Sequence, residues 1–221
     1  MSLENALTLL PGLAMTLYLW AAVMLISIPA GLLLGYLLNE GPAPVRWPIV
    51  VVTQIGRGFP ALVTLYLIYF GLPEFHLTLS AAAALIAAFS LTTASYLAEV
   101  FRSALAAVPK GQREATLALG VPGWSRMMFV IVPQAVKMVV TPVIGFAALV
   151  LQGTSLAYSI GVRELLGVSY SEGTVTFSVF DYLVLAGAFY LAAYLVLTWA
   201  AAAVRRRTVG QPARQTVRIL D

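Results

Sequence analysis

The chain has 221 residues, of which 61% are hydrophobic and only 10% charged, with a formal net charge of +4. Soluble domains carry roughly one-quarter charged residues, so this composition, with a mean hydropathy of +0.92, excludes a water-soluble fold. Cysteine is absent and histidine occurs once, which excludes disulfides, thiolate metal sites and thiol catalysis and argues against any metal site.

The first apolar run carries no charge from Leu7 to Leu38, longer than the roughly 20 residues a membrane helix needs, and predicts a span over 8–38. It lacks a basic start, so it is expected to be retained rather than cleaved. Within it, Gly31 and Gly35 have the spacing that lets two helices approach closely. Further apolar runs predict spans over 48–72, 78–108, 134–158 and 180–204. They do not alternate apolar and polar residues as barrel strands do. The expected fold is therefore an all-α membrane protein with five transmembrane helices. Residues 1–207 form one membrane domain, and 208–221 form a short basic tail. No phosphate-binding loop of the G-x-x-x-x-G-K-[ST] type is present, because Lys110 is followed by Gly111 and Lys137 by Met138. ATP binding is therefore not expected in this chain, nor is any cofactor or catalytic residue.

Basic residues set the expected orientation. Arg46 follows the first span, Lys110, Arg113 and Arg126 follow the third, and Arg205, Arg206, Arg207, Arg214 and Arg218 follow the fifth. The other ends hold Glu4, Glu74, His76, Glu164, Glu172 and Asp181, with Arg163 the one base among them. This predicts the N-terminus outside and the C-terminus inside. The isoelectric point near 9.5 reflects that bias and gives no reason to expect nucleic acid.

Lys110–Arg126 reads KGQREATLALGVPGWSR, a polar island between lipid-compatible runs. Pro109 and Gly111 end the third span, and a short helix fits 112–119, closed by Gly120 with Pro122 beyond it. A helix of two turns is unstable alone. It is either a docking helix or a solvated loop. It needs packing against neighbours or a partner; its polar groups come from Gln112, Arg113, Glu114 and Thr116, and Ala115, Ala118 and Leu119 supply a small apolar face.

The run through Glu99, Arg102, Val108, Gly111, Gln112, Glu114, Ala115, Gly120, Ile131 and Pro133 resembles the cytoplasmic "EAA" signature of binding-protein-dependent ABC importer permeases, with Thr116 in place of the second alanine. Arg57-Gly58-Phe59-Pro60 and the stretch Ile68 to Pro73 resemble the RGTP and IYFGLP segments of the polar amino-acid subclass, and Thr154-Ser155-Leu156 resembles its KDTSL segment. The likeness covers residues 10–205. Where many relatives read Gly-Asn-Glu this chain has Ile144, Gly145 and Phe146, and Gln152-Gly153 replaces a charged pair.

The resemblance implies a MetI-like permease with a coupling helix between spans three and four, in the inner membrane of a bacterium. Its implied partners are a cytoplasmic ATPase dimer, a second permease subunit (the same chain or a paralogue), an extracytoplasmic solute-binding protein, membrane lipid, and an amino acid or similar small polar solute. It assigns ATPase coupling to Gly111, Gln112, Arg113, Glu114, Ala115 and Gly120. The rival function is a self-sufficient channel or secondary transporter, and a further one is a membrane scaffold.

Arg57 lies about ten residues into the second span, a costly depth for arginine unless it pairs or snorkels. Gly56, Gly58 and Pro60 should break the helix there and free carbonyls to bind it. Arg57 and Pro60 thus read as an anchor at a helix break or as a gate or subunit interface. Glu99 and Arg102, three apart, can pair on one helical face and join that group. Gln152, Thr154, Ser155 and Tyr158, polar groups on an apolar span, read either as interhelical hydrogen bonding or as lining of the solute path.

Overall fold

The structure is a computed structural model that describes residues 3–209, and all regular structure among them is helical. α1 (Leu3–Thr8) runs into α2 (Leu10–Glu40), followed by α3 (Ala43–Gly58) and α4 (Ala61–Tyr66). α4 continues through a widened π turn, Leu67–Gly71, and a tight 3-10 turn, Leu72–Phe75. α5 (Ala81–Ala107), α6 (Lys110–Ala118) and α7 (Gly123–Arg126) follow; a second π turn, Met127–Ile131, joins α7 to α8 (Val132–Gly153), which tightens into a 3-10 turn, Thr154–Ile160. α9 (Leu165–Val175) and α10 (Val179–Val209) complete the described chain. Residues 210–221, most of the expected basic tail, lie outside the described residues.

Among the described residues, four rods are long and apolar enough to cross a membrane: Asn5–Glu40, Ala81–Ala107, Gly123–Ile160 and Val179–Ala203. The second expected span is not a fifth straight one. Ala43–Gly58 and Ala61–Phe75 meet at 110°, so five spans result only if this bent pair counts as one. The break falls at Phe59-Pro60, both extended (ψ 140° and 138°), and the proline ring disfavours helical backbone at the residue before it. The fourth rod starts at Gly123, well before 134. Pro133 does not delay it, since the π turn at Met127–Ile131 precedes the proline, as such turns do where the regular ladder is interrupted.

α2 and α5 share the largest interface, and the two glycines explain why. A Cβ on Gly31 would lie 2.6 Å from Leu97 Cβ, and one on Gly35 would lie 2.6 Å from the Ala98 oxygen and 2.8 Å from Phe101 Cβ. Only glycine permits this approach of the backbones. One core cluster joins α2, α4, α5 and α8 through Leu19, Val23, Leu65, Leu85, Phe89 and Val150. A second packs Leu97, Phe101 and Leu105 of α5 on Met127, Ile131 and Val139. A third joins Leu9, Leu165, Val168 and Tyr182. α10 is peripheral, with Leu191, Val196 and Trp199 exposed, as suits a helix facing lipid.

Candidate functional site

The island helix α6 starts directly after Pro109, whose carbonyl accepts from the Gln112 N–H at 3.0 Å. Its two faces divide between the bundle and the outside. Arg113 and Thr116 turn inward, whereas the small apolar face of Ala115, Ala118 and Leu119 is exposed, Leu119 to 80%, so within this chain it is not packed on neighbours. The physical reason lies in the neighbours. The ends of α2 and α5 present polar groups: Arg113 donates from Nη1 to Glu40 Oε1 at 2.7 Å and from Nη2 to the Leu105 carbonyl at 3.1 Å. Thr116 satisfies its own hydroxyl on the Gln112 and Arg113 carbonyls. The exposed surface left on α6 carries Gly111, Gln112, Glu114, Ala115, Leu117 and Leu119, with Trp124 nearby in the chain also exposed. Gly120 ends the helix with φ +67°, and its N–H and that of Val121 donate to the Leu117 and Thr116 carbonyls. No atom lies within 4 Å of a Cβ there, so backbone conformation alone calls for glycine.

Of the gate group, three residues converge. Arg102 donates from Nε to both Glu99 oxygens at 3.2 and 3.1 Å and also contacts Glu99 Oε1 through Nη2. Arg57 Nη1 lies 3.6 Å from Glu99 Oε2. The expectation that Arg57 would bind freed carbonyls is therefore corrected: a carboxylate on a neighbouring helix compensates its charge far better than a dipole does. The freed Arg57 carbonyl instead accepts from Tyr96 OH at 3.1 Å, and the guanidinium lies 5.8 Å from the Tyr96 ring centroid, a cation–π distance. Tyr96 in turn stacks on Phe146 of α8 at 5.3 Å. Pro60 stands apart from this cluster, as the cap of α4 whose carbonyl accepts from the Thr64 N–H.

Thr92, Tyr96, Glu99 and Ser103 recur at helical spacing on one face of α5, and none is fully buried. Lipid cannot satisfy such a stripe. Cavities of about 390 and 350 Å³ lie on either side of Glu99, one against α8 (Met138, Val139, Pro142) and one against α3 (Arg46, Thr53, Gln54, Arg57) and Leu38 of α2. A third, of about 470 Å³, is lined by apolar residues such as Ile28, Val140 and Leu197 and offers a polar solute nothing to bind.

The four expected path residues are divided. Thr154 is fully buried and donates to the Leu151 carbonyl at 2.7 Å, and half-buried Ser155 donates to the Gln152 carbonyl at 2.8 Å. Gln152 and Tyr158 are exposed, the latter with its ring 5.4 Å from that of Tyr170. Sequence reasoning placed Glu164 in an outer loop, but it is completely buried. Its carboxylate caps α9 by accepting from the Leu166 and Gly167 N–H groups at 3.0 and 2.8 Å, and also accepts from Tyr190 OH at 2.5 Å and Thr16 Oγ1 at 3.4 Å. These contacts tie α2, α9 and α10 together. Glutamate is not a common cap residue, and neither Thr16 nor Tyr190 is near it in sequence, so only the folded chain reveals the role. The signal for the α5 stripe was present in the spacing of its polar residues.

The family model of binding-protein-dependent transport system inner membrane components matches residues 27–210. The arginine transport system permease protein ArtQ of Bacillus subtilis is 31% identical over 204 residues, covering 90% of this chain and 91% of ArtQ. A crystal structure of an amino acid ABC transporter with histidines superposes with a TM-score of 0.85 at 27% identity, covering 92% of this chain and 95% of that one. An inward-facing MetNI methionine ABC transporter superposes with a TM-score of 0.77 at 20% identity, over 94% of this chain and 99% of that one, a likeness of fold.

Proposed function

Because the chain belongs to the family of binding-protein-dependent transport system inner membrane components, we propose that it forms half of an ATP-driven import path for an amino acid or similar small polar solute. The observation that carries this reading is α6, a helix of 9 residues with almost all of its surface unpartnered in the chain and held to the spans through Arg113. Such a helix needs a partner, and the partner is a cytoplasmic ATPase dimer that hydrolyses the ATP. Movement of α6 passes through Arg113 to the end of α2 and the last turn of α5. The close packing at Gly31 and Gly35 makes these two helices move as one, so they form the element whose two arrangements the ATPase biases.

The solute path runs along the polar face of α5, through Tyr96, Glu99 and Ser103. The single chain leaves this face open, so a second permease subunit closes it. Gln152 and Tyr158 are exposed and remain candidates for the path, whereas Thr154 is assigned to packing. An extracytoplasmic solute-binding protein delivers the solute at the end carrying Glu74 and Glu172, with the N-terminus outside and the C-terminus inside the inner membrane of a bacterium. Amino acids are the substrate class because ArtQ is an arginine system and the superposed transporter an amino acid system.

The test is uptake of labelled amino acids by proteoliposomes holding the chain with its ATPase and binding protein. Uptake should need all components and ATP. Equal uptake by the chain alone would establish a channel or secondary transporter instead. Tags after Glu172 should be reached from outside and tags after Arg207 only from inside.

A further inference from the structure

Arg46, Arg57 and Arg102 share the cavity of about 350 Å³ between α2, α3 and α5 with one carboxylate, Glu99. Glu99 is already engaged by Arg102 and Arg57. Arg46 joins no ion pair among the described residues, and the buried Nε of Arg57 has no hydrogen-bond partner. A guanidinium cannot shed its charge; Arg46 is exposed, whereas Arg57, two-thirds buried beside the apolar layer, is costly to leave with a donor unmet. Three of them against one carboxylate leave two positive charges in excess. Among the described residues, the other acids at this end do not compensate them: Glu40 is taken by Arg113, and Glu114 is exposed on α6.

The surroundings indicate what anion would enter. Trp47, next to Arg46, is 65% exposed, and tryptophan is enriched at the level of lipid headgroups. Trp47, Val51 and Ile55 form an exposed apolar strip of α3 beside the face that lines the cavity. Leu38 and Val50 add apolar wall inside it. A cationic pocket next to an apolar strip matches an anionic headgroup with its acyl chains, and basic pockets between spans on the cytoplasmic side are known to take such headgroups.

We propose that this cavity binds the phosphate of an anionic phospholipid of the cytoplasmic leaflet, with Arg46 at the mouth and Arg57 and Arg102 holding the phosphate oxygens. The leaflet rests on the orientation proposed above. Free phosphate has the same oxyanion chemistry but lacks the chains that would cover the strip.

The test is native mass spectrometry of the full chain extracted from vesicles of equal phosphatidylglycerol and phosphatidylcholine. Phosphatidylglycerol should be retained preferentially. Arg46→Gln, which breaks no ion pair, should lower that retention about fivefold, and Arg46→Lys should preserve it. Glu99→Gln removes the competing carboxylate and should raise retention, whereas a purely structural ion pair predicts no gain. Equal retention of the two lipids, or no change with Arg46→Gln, overturns the proposal. Displacement by inorganic phosphate without loss of folding assigns the site to free phosphate and overturns the lipid. Displacement by glutamine or arginine assigns the cavity to the solute path and likewise overturns it. Reversed insertion would leave retention intact and show only in tag accessibility, so the two failures are separable.

Discussion

Arg57 of α3, two residues before the break that turns the second span by 110°, forms an ion pair with Glu99 of α5, its Nη1 3.6 Å from Oε2. The pair fastens the broken end of α3 to the polar face of α5. Arg57→Glu should set two carboxylates side by side, reduce uptake and lower the melting temperature. The exchange Arg57→Glu with Glu99→Arg should recover part of both. Each side chain is about one-third exposed, so solvent screens the pair, and a double-mutant cycle should give a coupling of ~0.5–1 kcal/mol. Strictly additive effects would remove the pair from the account of how α3 is held.

The approach of α2 to α5 depends on Gly35. Gly35→Val drives side-chain atoms into the Ala98 carbonyl and Phe101, and overpacking of this kind costs ~1–3 kcal/mol. Gly145→Ala in α8 meets no atom within 4 Å and should be neutral or stabilising by up to ~1 kcal/mol through helix propensity. Thermal unfolding in detergent compares the two directly, and similar melting temperatures would refute the close-packing argument.

At Gly120 the backbone takes φ +67° with open space around it. Gly120→Val should cost ~1–2 kcal/mol locally and weaken capture of the ATPase, while Gly120→Asn, a residue that tolerates this conformation, should retain it. Arg113→Ala removes both side-chain hydrogen-bonded links from α6 to α2 and α5. It should leave ATP hydrolysis running while uptake falls. Coupled uptake by Arg113→Ala would mean that force reaches the spans by another route.

Glu164 satisfies two backbone N–H groups and the Tyr190 hydroxyl inside the protein. Glu164→Ala leaves these donors buried without an acceptor and should destabilise by ~2–3 kcal/mol. Glu164→Gln keeps an acceptor oxygen and should lose less. Melting curves of the two variants decide this, and equal losses would show that the acceptor is not what matters.

Much of the architecture was legible in the chain. Uncharged runs gave the positions of the long rods, because lipid admits only apolar helices. Of the residues expected to break the second span, Pro60 stands at the break while Gly56 and Gly58 stay inside α3, and Gly120 announced the end of the island helix, because proline and a left-handed glycine are local backbone constraints. The α5 stripe could be read from polar residues at helical spacing. Less legible was which side of α6 faces the bundle: the sequence left its apolar face open to neighbours or a partner, and the structure turns Arg113 and Thr116 inward, with Arg113 on Glu40 and the Leu105 carbonyl.

The sequence by itself determined the membrane environment, the helical class, the polar island and the lack of a phosphate-binding loop, all properties of segments that neighbours cannot alter. Only the tertiary structure decided that Arg57 pairs with Glu99, that Arg46 and Arg102 share their cavity, that Glu164 is an internal cap and that Thr154 is enclosed. Each of these depends on residues from helices distant in sequence. In an apolar layer a polar group must find whichever partner the fold brings near, and no local pattern specifies which one that will be.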